Sequence, residues 1–176
     1  GTVVDIAVGE HLADLRVRAE VGGRNFAARY ITKAGRQHFV HYIERYAGRY
    51  VQLHFTSINV PIKLFHASLL PANYPVRVQG VFSCSDSIAE RVYQLCEHTL
   101  RLCMHERYED CPLREQALYA EDARMEALAG YYLFGEYDLA RVSLDLLGYS
   151  AGSDGYVNIC APSCIDLKIP VATMLW

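Results

Sequence analysis

The sequence predicts an α+β chain: an antiparallel, jelly-roll-like β-sandwich over residues 1–82, then consecutive antiparallel helices over 83–176. Three observations predict it. Short apolar runs alternating with polar residues fill the first half, as in LADLRVRAEV ahead of the turn Gly22-Gly23. A cluster of helix-capping residues, Ser83-Cys84-Ser85-Asp86-Ser87, marks an abrupt change of character. Beyond it, apolar residues recur at helical spacing.

Strands are expected at 3–8, 12–21, 25–32, 38–44, 49–55, 62–69 and 76–82, with turns at Lys33-Ala34-Gly35 and Ala47-Gly48. Strands this short and this closely spaced favour a sandwich over strand–helix–strand units. Ser87 and Glu90 form a capping-box pattern. A first helix to about residue 106 then carries Ile88, Val92, Leu95, Cys96, Leu102 and Cys103 on one apolar face. A second lies within 116–134 and ends at Gly135; a third covers 137–147 and stops at Gly148. Residues 151–166 read as loop, and Pro170 suits the first position of a fourth helix. That helix has barely begun at Trp176, so the chain reads as a fragment of something longer.

Composition narrows the function classes. Apolar residues make up 52%, enough for a folded core. Net charge is -3 and no basic run occurs, which argues against a nucleic-acid partner. No apolar segment approaches the roughly 20 residues that span a bilayer, so no membrane partner is expected. The six cysteines are expected to be free thiols in a core that needs no staples, the condition of a cytoplasmic protein. A secreted protein remains open if a signal peptide once preceded this sequence. Cys96, His98, Cys103 and His105 lack the paired spacing of a zinc site, and neither metal nor cofactor is expected.

The informative stretch is YEDCPLREQALYAEDARMEALAGYY, residues 108–132. If the chain turns helical directly after Pro112, then Glu115, Leu118, Asp122, Met125, Ala129 and Tyr132 share one face. Glu115 and Asp122 would stand two turns apart, about 10 Å at 1.5 Å per residue. Unpaired carboxylates on an apolar stripe are costly. The competing explanation is an acid-rich helix start, with Arg114 pairing Asp110 at the surface.

DCPLRE, after the FSCSD helix start and before Asp122, resembles the bacterial α-L-rhamnosidases of glycoside hydrolase family 78, which carry an Asp-Cys-Pro-x-Arg-Glu motif. Upstream, RYITKAGRQHFVHYIERYAGRYVQLHF resembles the β-sandwich that precedes the barrel in that family. Downstream, DGYVNICAPSCIDLKIPVATMLW resembles the loop leading into the next inner helix. The resemblance implies that residues 83–176 begin an (α/α)6 barrel, incomplete here, and that terminal α-L-rhamnosyl residues are hydrolysed with inversion. It implies Glu115 as general acid, with Asp110, Arg114, Tyr119 and Asp122 binding a rhamnose-containing carbohydrate. Tyr119 stands where many members have tryptophan, and Gln116 where a second charged residue is common. The base, a later Glu of the family's barrel, falls outside this sequence, so the 176 residues alone are expected to be inactive.

Two other functions stay open on the sequence. One is a catalytically inactive carbohydrate-binding or assembly fragment, a homo-oligomer that covers its bare helix faces. The other is a six-hairpin glycosidase acting on a different sugar.

Overall fold

A computed structural model describes residues 1–176. The chain is α+β, in two compact units, Gly1–Pro71 and Ala72–Trp176. No helix is long and apolar enough to cross a membrane.

The first unit is antiparallel throughout. Strand β1 (Val3–Gly9) lies at the centre of a sheet of order β6–β1–β7, with β6 (Ala27–Ile31) and β7 (Tyr50–Thr56) as its edges. Two short ribbons attach to it: β2 (Leu12–Ala13) with β3 (Arg16–Val17), and β4 (Glu20–Val21) with β5 (Arg24–Asn25). The run expected as one strand over 12–21 is thus folded on itself. Asp14 and Leu15 both take positive φ, 49° and 60°, the geometry of a two-residue hairpin turn. Gly22 and Gly23 supply the expected second turn. Register places Asp5 opposite Arg29, and their side chains pair at 2.6 Å.

The expected strands at 38–44, 62–69 and 76–82 do not form. Backbone pairing explains the last of them. The amides of Gln79 and Gly80 both donate to the carbonyl of Leu133, and Arg101 reaches the carbonyl of Val76. The polar backbone of this segment is therefore satisfied by helices, not by a neighbouring strand.

The second unit holds α1 (Ser87–Leu102), α2 (Ala120–Phe134), α3 (Asp138–Gly148) and α4 (Pro170–Leu175). Asp86, not Ser87, caps α1, its carboxylate accepting from the Ile88 amide at 2.8 Å. Gly135 ends α2 in the left-handed region at φ 63°. Pro170 opens α4. Cys96 and Cys103 do not share a face: α1 stops at Leu102, so Cys103 turns into the core while Cys96 stays exposed.

The core of this unit gathers Leu100, Met104, Tyr108, Leu118, Leu133, Leu139 and Leu147. Met104, Tyr108 and Leu118, each at most 1% exposed, come from the connection between α1 and α2. Burial of side chains this size contributes roughly 1.5–3 kcal/mol apiece, so the connection is anchored like a secondary-structure element.

Candidate active site

The motif residues lie in that connection. Residues 112–115 form a tight turn, Gln116 takes φ 51°, and Leu118–Tyr119 run extended into α2. The helix expected to begin near residue 116 therefore starts at Ala120. A residue in the left-handed region cannot continue a right-handed helix, and Gln116 breaks it there. Glu115 accordingly sits ahead of α2, and the shared helical face with Asp122 is replaced by a loop that brings the acid beside the helix start. Gln116 is held by its side-chain amide donating to the Pro112 carbonyl at 2.8 Å, and by Arg107 donating to its carbonyl at 3.0 Å.

Asp110 closes the loop. Its amide donates to the Ala117 carbonyl at 3.0 Å, and its carboxylate accepts from the Ala117 amide at 2.9 Å. Cys111 stabilises the turn, its sulfur accepting from the Glu115 amide at 3.2 Å. Leu118 and Tyr119 are pinned from downstream: Ala161 donates to the Leu118 carbonyl, and Tyr119 bridges Cys160 antiparallel.

The Glu115 side chain is gripped on both oxygens. Tyr119 donates its hydroxyl to Oε2 at 2.6 Å, and Arg114 donates to Oε1. Arg114 thus pairs with Glu115, its neighbour in the turn. Its guanidinium is half exposed, whereas Glu115 is largely covered. The hydrogen bond to Glu115 raises the proton affinity of Tyr119 first, burial second, so the phenol stays a donor. Asp122 lies in the first turn of α2. It is exposed, yet the partial burial of its carboxyl pushes its pKa up, followed by Asp110, Glu121 and Glu115.

Two acids that sequence reasoning passed over stand behind these. Glu109 is fully buried, with His105 Nδ1 at 3.1 Å and Arg107 at 3.6 Å. Glu126 stands one turn beyond Asp122, a spacing that could have pointed to it. Burial, then Asp122, pushes its pKa up to about 9. No pattern in the sequence marks Glu109. Tyr131 and Tyr137 stack on each other with centroids 4.8 Å apart, a packing role. No group of three or more His, Cys, Asp or Glu side chains is arranged to hold a metal ion. All six cysteines are free thiols.

A carboxylic acid in a grip of tyrosine and arginine, with further acids at the start of the next helix, suits acid–base chemistry on a hydroxylated substrate. Comparison with known proteins narrows this. The family described as bacterial alpha-L-rhamnosidase 6 hairpin glycosidase domain matches residues 77–176. The chain belongs to this family. A solved rhamnosidase of glycoside hydrolase family 78, from Bacillus sp. GL1, superposes with a TM-score of 0.90 at 33% identity. The match covers 100% of this chain and 18% of that one. No curated protein matches. Within this rhamnosidase family framework, the β unit lies N-terminal to the matched domain and the acid-bearing loop falls inside it.

Proposed function

We propose that this chain supplies the acid half of a glycosidase site that removes terminal α-L-rhamnosyl residues with inversion of configuration. Glu115 delivers the proton to the departing glycosidic oxygen. A carboxylate outside residues 1–176 activates water on the opposite face, roughly 6.5–9.5 Å away as inversion requires. Asp110, Arg114, Tyr119 and Asp122 bind the sugar hydroxyls.

The observation that carries this reading is the two-sided grip on Glu115. Tyr119 fixes Oε2, while the exposed Arg114 holds Oε1 from the solvent side. Arg114 can swing onto a hydroxyl of the arriving sugar and release Oε1, leaving Glu115 to carry the proton it must deliver. Asp122, whose pKa is pushed up, stands nearby as a hydrogen-bonding partner for another hydroxyl.

The direct test is hydrolysis of an aryl α-L-rhamnoside by the full-length protein, with the anomer released followed by NMR. Release of the β-sugar is expected. Release of the α-sugar would overturn the inverting mechanism, and no cleavage would overturn the activity. One observation favours a second reading, an inactive binding or assembly fragment. Ile88, Val92 and Leu95 form an apolar face of α1 that is 71, 52 and 64% exposed. Rhamnose binding by the full-length protein without hydrolysis would select that reading.

A further inference from the structure

Glu126 is an acid of the 108–132 stretch that the proposed chemistry leaves without a task. Its Oε2 is buried and has no hydrogen-bond partner. Its side-chain partner is the thiol of Cys103, itself 4% exposed, at the end of α1. The charges that bear on it most are Asp122 on α2, and Asp110 and Glu109 in the connecting loop. Tyr108, buried in the same loop, feels Glu126 in turn. The imidazole of His105 and the guanidinium of Arg107, both in that loop, lie against Glu109 instead. The Cys103 thiol favours the anion, but burial and the neighbouring carboxylates outweigh it, so the neutral acid is cheaper to hold.

We propose that Glu126 is a positioning residue kept in its uncharged acid form, and that its proton limits the negative charge behind the sugar-binding groups Asp110 and Asp122. The inference rests on the glycosidase reading of the site. Ionised Glu126 would place a further negative charge one turn from Asp122, whose proton affinity is already raised. The two anions would then repel each other, displacing Asp122 and changing its hydrogen bonding to the substrate. The buried acid therefore sets an alkaline limit on the site, near the value of about 9 to which its surroundings push it.

The test compares wild type with Glu126→Gln in the full-length protein, using pH profiles of kcat and KM on an aryl α-L-rhamnoside. Glutamine keeps the neutral shape, so kcat near neutrality should stay within about threefold of wild type. The alkaline fall should move up by about one pH unit or more. In parallel, an infrared difference spectrum between the two proteins at neutral pH should show the carbonyl stretch of a protonated carboxylic acid. The absence of that band overturns the proposal. So does an alkaline limb unmoved by the substitution, or a folded Glu126→Gln protein that has lost more than about a hundredfold in kcat at every pH. If Glu126→Gln does not fold, the wild-type infrared titration decides alone: a protonated carboxyl persisting through neutrality supports the proposal, and its absence sinks it. A wild type that leaves the rhamnoside intact refutes the glycosidase reading, while the infrared band still reports the state of Glu126.

Discussion

Tyr119 Oη donates to Glu115 Oε2 across 2.6 Å, tying the last residue before α2 to the turn that precedes it. The bond spans the left-handed Gln116, so the phenol fixes the acid at the point where the backbone changes direction.

Replacing the acid is the first consequence to measure. Glu115→Gln in the full-length protein should lower kcat for an aryl α-L-rhamnoside by about 10²–10⁴, the usual range for a lost general acid. Near-normal turnover would remove Glu115 from that role.

Tyr119→Phe keeps the ring and deletes the donor. A hydrogen bond to a charged group contributes about 1.5–3 kcal/mol, which corresponds to roughly 10- to 150-fold in kcat/KM if the geometry of Glu115 depends on it. Melting temperature should change little, because the hydroxyl lies at the half-buried rim. An unaltered kcat/KM would show that Arg114 and the backbone position the acid unaided.

Gln116 adopts a backbone conformation that β-branched residues resist strongly. Gln116→Val should destabilise the protein by about 2 kcal/mol or more, from strain together with the lost bond to Pro112. Gln116→Gly removes the strain and should be the milder change. Equal melting temperatures for the two variants would contradict this.

The Tyr108 hydroxyl is buried without a partner, and a Cβ built on Gly130 would meet it at 2.9 Å. Gly130→Ala alone should therefore destabilise despite alanine's better helix propensity. Tyr108→Phe should be neutral or slightly stabilising, and the double variant should recover most of the loss. Additive effects in the double-mutant cycle would deny the contact.

Glu126 also predicts the pH dependence of stability. Its pKa is raised in the fold, from 4.5 to about 9, so the folded state holds a proton that the unfolded chain releases. The stability associated with that proton is complete below about 4.5 and is lost progressively as pH rises to about 9. Denaturant midpoints should fall across that window, and Glu126→Gln should flatten the slope. Parallel slopes in the two proteins would refute the assignment.

Much of the helical unit was legible because its boundaries are written in local chemistry. Asp86, Gly135 and Pro170 each satisfy or interrupt backbone hydrogen bonding in a way that depends on few neighbours. The start of α2 was not legible, since nothing in Gln116 itself announces a left-handed backbone. That conformation is held by Arg107 and by Pro112, contacts that exist only after folding. The same holds for strand 76–82, whose alternating pattern is genuine but whose amides find the Leu133 carbonyl first. Within the site, residues close in sequence could be grouped from the motif, and the structure brings Arg114, Glu115 and Tyr119 into one hydrogen-bonded chain. What burial does to Glu109 and Glu126 could not be read, because both depend on how α1 and the loop close over them.

The rungs from Ala161 to Leu118 and from Cys160 to Tyr119 give the acid loop a second support. They make residues 160–161 a brace for the proposed site without lending it a side chain. Insertions or loosening substitutions there should read out as blurred placement of Glu115, so tolerance to change in this downstream loop would be set by the proposed site it braces.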